Sequence, residues 1–231
     1  MDHEYIKFTT LKVFKDCATN SFPIDCFEML KHYQINIYPY SSLDGSLREY
    51  CFNYSEDALN YKEKLCYNDM MPEGRIRFTL MHELGHIALK HGRSPSVDQE
   101  KDADFFASHI LAPRMVIHYT KCKNQNDVAK RFQVSQGAAQ YAFDDYRRWH
   151  RRTIIHKMTD FDKAMYAYFY NEETKGFVYS VKRCAYCDAL IYNSRDYICR
   201  KCNPVNRSYV QRQRQDEELL AAESQWLYRG L

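Results

Sequence analysis

The sequence predicts an α+β fold, and three observations carry the prediction. Two neighbouring segments, 77–89 and 100–111, repeat apolar residues at helical spacing. Short stretches that read as β-strand precede them, at 35–40, 49–55 and 60–68. Two C-x-x-C knuckles, Cys184/Cys187 and Cys199/Cys202, lie further on among β-prone residues and announce a second, smaller unit. Helices gathered to one side of a small sheet are the layer arrangement this order of elements suggests.

The elements follow in chain order. Residues 4–17 read as a helix. Pro23 and Asp25 open another through Cys26, Met29 and Leu30, ending near Tyr33. Residues 35–40 alternate as a strand, and 49–55 with 60–68 read as two more, forming a hairpin. Asn68-Asp69 and Pro72-Glu73-Gly74 are turn chemistry. The two helices at the centre follow, separated by a polar loop at 92–99, and Pro113 marks the end of the second. Residues 126–149 read as a helical pair resembling a helix-turn-helix. Its second helix carries Gln136, Gln140, Asp144 and Asp145, a poor set for approaching phosphate, so packing on the core is the favoured role. Residues 165–170 and 177–181, joined by a turn at 171–176, read as strands that extend the cysteine module. Strands at 189–192 and 197–199 with a turn at 193–196 complete it. Residues 210–228 read as an amphipathic helix. The expected division is 1–155 as the main domain, with the helical subdomain at 124–150; 160–206 as a β-rich zinc-ribbon module; and 207–231 as the C-terminal helix.

The densest chemistry is His82-Glu83-Leu84-Gly85-His86. Residues four apart on a helix share a face, so His82 and His86 can offer two imidazoles to one ion. Glu83 lies beside that face, placed to act as a general base without being a ligand. A catalytic zinc keeps three protein ligands and one open position. Glu100 is the candidate third ligand. Asp104, four residues on, shares its face and suits the free N–H of a ligand histidine. A solvated acidic first turn, favoured by the helix dipole, is the plain alternative for the same two carboxylates. Asp102 and His109 fall off the Glu100 face, and His91, five residues past His86, points well away from the ligand face. His91 and His109 are therefore expected to be ordinary surface or core histidines.

RIRFTLMHELGHIALKH followed by EKDADFFASHILAP resembles the ImmA/IrrE family of metallopeptidases. That family pairs an H-E-L-G-H helix with a helix of the form E-x-x-A-(N/D)-x-F-A-x-x-L-L-x-P. Glu100, Ala103, Asp104, Phe106, Ala107, Leu111 and Pro113 stand at the matching places, with Ile110 in place of a leucine. The likeness spans roughly residues 20–150. It implies a gluzincin-like core and an intracellular protease directed at a helix-turn-helix repressor or antitoxin, whose removal switches on phage, mobile-element or stress genes.

The paired knuckles fit a tetrahedral site of four thiolates, Cys184, Cys187, Cys199 and Cys202. With every position filled, that zinc is expected to be structural. Two zinc ions are thus expected, one catalytic and one structural. Nine cysteines with no export signal in MDHEYIKF favour reduced thiols and a cytoplasmic setting. No apolar run approaches a membrane span, and a net charge of +3 does not mark the whole chain as a nucleic-acid binder. Local basic groups do invite such contact: Arg147, Arg148, Arg151 and Arg152, and on the ribbon Arg183, Arg195, Arg200, Lys201 and Arg207. The expected function is a zinc endopeptidase acting on a DNA-binding repressor. A protein- or DNA-binding regulator using the helical pair and ribbon is the alternative. A SprT-like protease acting on DNA-bound proteins stands behind it, because its third ligand is a histidine.

Overall fold

The computed structural model describes residues 2–61, 64–92 and 94–203. Mixed helices and small sheets make it α+β, and the chain divides into two compact units, 1–179 and 180–231.

In the first unit, α1 (His3–Asp16) starts at Asp2, whose side chain accepts from the Glu4 N–H. It buries Ile6, Leu11, Val13 and Phe14. α2 (Cys26–His32) is capped by Asp25, which accepts from the Phe27 and Glu28 N–H groups. β1 (Asn36–Pro39) leads through a 3-10 turn at Tyr40–Ser42 into α3 (Gly45–Tyr54).

α3 overturns the strand expected at 49–55. The Asp44 side chain accepts from the Leu47 N–H and starts a helix. Leu47 and Cys51, one helical turn apart, then pack with Tyr40 and Cys66 in a small satellite core. The single strand expected at 60–68 is also revised. β2 (Ala58–Tyr61) and β3 (Lys64–Tyr67) pair antiparallel, and β1 joins β3 in parallel, giving the order β1-β3-β2.

α4 (Glu73–Ala88) and α5 (Val97–Leu111) are the central pair. A capping box at Ser96 and Gln99 opens α5 three residues before the sequence signal. α6 (Arg114–Tyr119) was not foreseen. α7 (Gln125–Phe132) and α8 (Gln136–His156) are the expected helical pair. Gln133, at φ 54°, turns the chain between them, and Ser135 caps α8 by accepting from the Ala138 N–H. The pair sits hard against α4: a Cβ on Gly74 would lie 2.6 Å from the Ser135 nitrogen.

The ribbon module is expected at 160–206, but residues 160–179 fall in the first unit. α9 (Asp160–Phe169) replaces the strand expected at 165–170. Thr159 and Asp162 form a capping box, and Phe161, Met165 and Phe169 recur at helical spacing into the core. β4 (Tyr170–Asn171) and β5 (Gly176–Phe177) close the unit as a short hairpin around the expected turn.

The second unit contains β6 (Val181–Arg183) and β7 (Leu190–Tyr192), paired antiparallel. The partner of β7 is therefore the segment before the first knuckle, not 197–199, which forms no strand. The Ala185 N–H instead bonds to the Tyr197 carbonyl at 2.9 Å. The helix expected at 207–231 lies outside the described residues, as does Arg207. No helix of the described residues is long and apolar enough to cross a membrane.

Candidate metal centre

α4 and α5 approach closely because Gly85 has no side chain. A Cβ there would meet the buried Phe106 ring at 3.0 Å. Leu80, Met81 and Leu84 bury one face of α4, and Ala103, Phe106, Ala107 and Ile110 bury the facing side of α5. The polar edges of the two helices are thereby held together, and His82, His86 and Glu100 meet there.

The geometry is that of convergent donors. His82 Nε2 lies 3.1 Å from Glu100 Oε2 and 3.0 Å from His86 Nε2, and His86 Nε2 lies 3.6 Å from Glu100 Oε2. A tetrahedral site with metal–ligand bonds of about 2.0–2.1 Å has donor–donor edges near ~3.3 Å. Two imidazole nitrogens and a carboxylate oxygen at these separations fit a zinc-sized ion. Asp104 Oδ1 stands 2.9 Å from His82 Nδ1, on the far side of the ring from the convergence point. Glu83 sits among the groups lining the adjoining cleft, a space of about 980 Å³ bounded by β2, β3, α4 and the start of α5.

Electrostatics at the cluster follow from burial and crowding. Desolvation pushes the Glu83 carboxyl above the ordinary range, and the Glu100 charge pushes the same way. Burial alone would lower His82, but the Asp104 hydrogen bond and charge, with Glu83 and Glu100, outweigh it and raise its pKa. His86 is lowered by burial and then by His82. A carboxyl raised above its ordinary range beside two imidazoles is chemically suited to proton exchange.

The remaining candidates separate. Asp102 is buried on α5 and does not join the donors. His109 is buried, stacks on Phe105 and places Nδ1 2.9 Å from the Phe105 carbonyl, a structural histidine as expected. His91 departs from expectation. Helix α4 ends at Ala88, Lys90 adopts φ 59°, and the His91 N–H bonds back to the His86 carbonyl at 2.8 Å. That reversal brings His91 Nδ1 to 2.9 Å from His86 Nδ1. Continuing the helical wheel past Leu89 hid this contact. The Lys90-His91-Gly92 run after the last apolar residue was the available signal of a helix end.

In the second unit the four knuckle cysteines also converge. Cys187 Sγ lies 3.6 Å from Cys199 Sγ, and the Cys199 N–H donates to Cys184 Sγ at 3.3 Å. Backbone N–H groups, Cys199 first, pull the Cys184 thiol down to about 6. The hydrogen-bonded thiol of Cys187 and the other neighbours hold Cys202 up at about 12. Such a set ionises together only around a cation, which fits a four-thiolate metal site.

Neither curated proteins nor solved structures yield a match to the chain. Residues 31–144, which span β1 to α5 and most of the helical pair, match the family described as the IrrE N-terminal-like domain, Peptidase_M78, and this likeness supports a metallopeptidase of the IrrE/ImmA type.

Proposed function

We propose that this chain is a zinc endopeptidase whose gluzincin-like core holds the ion through His82, His86 and Glu100, with Glu83 as catalytic base. The observation that carries the reading is the convergence of those three donor atoms within 3.0–3.6 Å, at the edge of a cleft that Glu83 lines. When bound, zinc supplies a Lewis acid for a peptide carbonyl and acidifies water. Glu83 takes the proton of the attacking water and returns it to the leaving amine. Its environment favours that exchange, since burial raises the carboxyl and makes it a better proton acceptor than an exposed glutamate. Asp104 fixes the His82 tautomer by accepting from Nδ1–H, which leaves the Nε2 lone pair for the ion.

The substrate we infer is a DNA-binding repressor or antitoxin of the helix-turn-helix kind, cleaved in the cytoplasm to release phage, mobile-element or stress genes. The zinc ribbon, held by Cys184, Cys187, Cys199 and Cys202, is a structural module that contributes to partner recognition. Arg147, Arg148, Arg151 and Arg152 are exposed along α8, and this favours a secondary contact with nucleic acid or an acidic partner surface. A purely regulatory role leaves Glu83 without work, and a SprT-like site would need a histidine where Glu100 stands.

The test is to incubate the zinc-loaded protein with a candidate helix-turn-helix repressor and look for one defined cut. Glu83→Gln should bind zinc and leave the repressor whole. Cleavage by that variant at the wild-type rate, with metal content confirmed, defeats the assignment.

A further inference from the structure

We propose that His91 is a positioning residue for His86, accepting its Nδ1–H so that the Nε2 lone pair is presented at the convergence point. This rests on reading His82, His86 and Glu100 as the metal site.

The argument is one of hydrogen-bond direction. The two Nδ1 atoms lie 2.9 Å apart, so one carries the proton and the other accepts it. A neutral imidazole has one N–H and one lone pair. If His91 donated, His86 would carry its own proton on Nε2, directed at His82 Nε2 and Glu100, and could not be a ligand. If His86 donates, Nε2 is free for the ion, and the His91 proton sits on its Nε2. That nitrogen is buried without a hydrogen-bond partner. A metal-bound His86 therefore requires the donor direction that runs from His86 to His91.

The backbone makes the arrangement definite. Lys90 in the left-handed region and the His91 N–H bond to the His86 carbonyl return the ring across the end of α4. Each ligand imidazole then has its own acceptor: Asp104 from α5 for His82, and His91 from the helix end for His86. A single chain reversal supplies what a second carboxylate would otherwise provide.

Zinc affinity of the metal-depleted full chain, measured by competition with a chromophoric chelator, tests this. Cobalt substitution separates the two sites, because only the four-cysteine site gives thiolate charge-transfer bands. His91→Leu removes the acceptor and should weaken zinc at the histidine–glutamate site roughly 10- to 100-fold. His91→Asn places a carbonyl oxygen near the lost Nδ1 and should recover most of that affinity. The four-cysteine site should be unchanged in both. Leucine binding zinc as tightly as wild type, or asparagine as weak as leucine, overturns the proposal. His86→Ala distinguishes the deeper failure: if it leaves wild-type metal stoichiometry intact, the metal site itself is misassigned.

Discussion

Replacing Gly74 with alanine should unseat the helical pair from α4. Gly74 lies in the first turn of α4, and a Cβ there would stand 2.6 Å from the Ser135 nitrogen and 2.9 Å from the Val134 carbonyl carbon. Favourable contacts begin near ~3.5 Å, so the two backbones would have to part by roughly 0.6–0.9 Å. Neither side yields cheaply. Ser135 caps α8, and the Val134 N–H bonds to the Ala129 carbonyl at 3.2 Å. Overpacking of this kind costs about 1–3 kcal/mol. The better helix propensity of alanine offsets up to ~1 kcal/mol. The net loss is about 1–2 kcal/mol, or a Tm drop of roughly 2–8 °C for a chain of this size. Gly137→Ala is the matched control. No atom lies within 4 Å of its added methyl, so only propensity acts, and it should stabilise by ~0.5–1 kcal/mol. Urea and thermal unfolding followed by far-UV circular dichroism read both variants. If Gly74→Ala stabilises the protein as Gly137→Ala does, α4 and the turn at 134–135 are not in contact, and the pair is free to act as a separate DNA-reading module.

Three further outcomes are expected. Glu100→Ala should empty the histidine–glutamate site of zinc, while Asp104→Ala should weaken it by roughly 10- to 100-fold; metal analysis showing Glu100→Ala fully loaded would remove Glu100 from the ligand set. Replacing Cys184 and Cys187 with Ser should expose residues 180–203 to limited proteolysis while the first unit stays resistant, since a module this small has little core without its ion; a resistant variant would argue against a metal-dependent ribbon. Asp162 is 1% exposed and pairs with Arg114 at 2.9 Å. Burial would raise its carboxyl, but its hydrogen bonds and the Arg114 charge prevail and hold it below the ordinary range. A folded pKa below the unfolded value gives stability that is present above about pH 4 and lost as pH falls through the folded pKa. Asp162→Asn should therefore cost about 3 kcal/mol at pH 7, with the gap to wild type closing in acid. A gap independent of pH would mean that the ion pair contributes nothing.

The helices are readable where one side of the pattern is strongly apolar, and are missed where a cap and tertiary burial together override strand propensity. The stretch 49–55 is rich in Tyr, Cys and Phe, which favour strands. Asp44 settles it by capping the chain five residues earlier, and Leu47 and Cys51 then find a core at helical spacing. The same happened at 165–170, where alternating aromatics suggested a strand and the Thr159–Asp162 box made a helix. In both places the cap was visible in the sequence. What tipped the balance was burial against residues far along the chain, which propensity does not report.

The candidate metal centre is more legible than the fold around it because its spacing is set by a single helical period. His82 and His86 need only α4 to share a face, and Glu100 and Asp104 need only α5. The helix-to-helix distance that unites them depends on Gly85 facing Phe106, a close approach for which a glycine between the two histidines is a fair hint. His91 was illegible for the opposite reason. Its position depends on where α4 stops and on one residue, Lys90, entering the left-handed region. Lysine rarely adopts that conformation, so although Lys90-His91-Gly92 signals a helix end, nothing in the sequence announces the reversal at Lys90 itself. The carbonyl of His86 is free at the helix end and takes the His91 N–H. The helix terminus that completes the backbone hydrogen bonds thus also brings the His91 ring to His86 Nδ1.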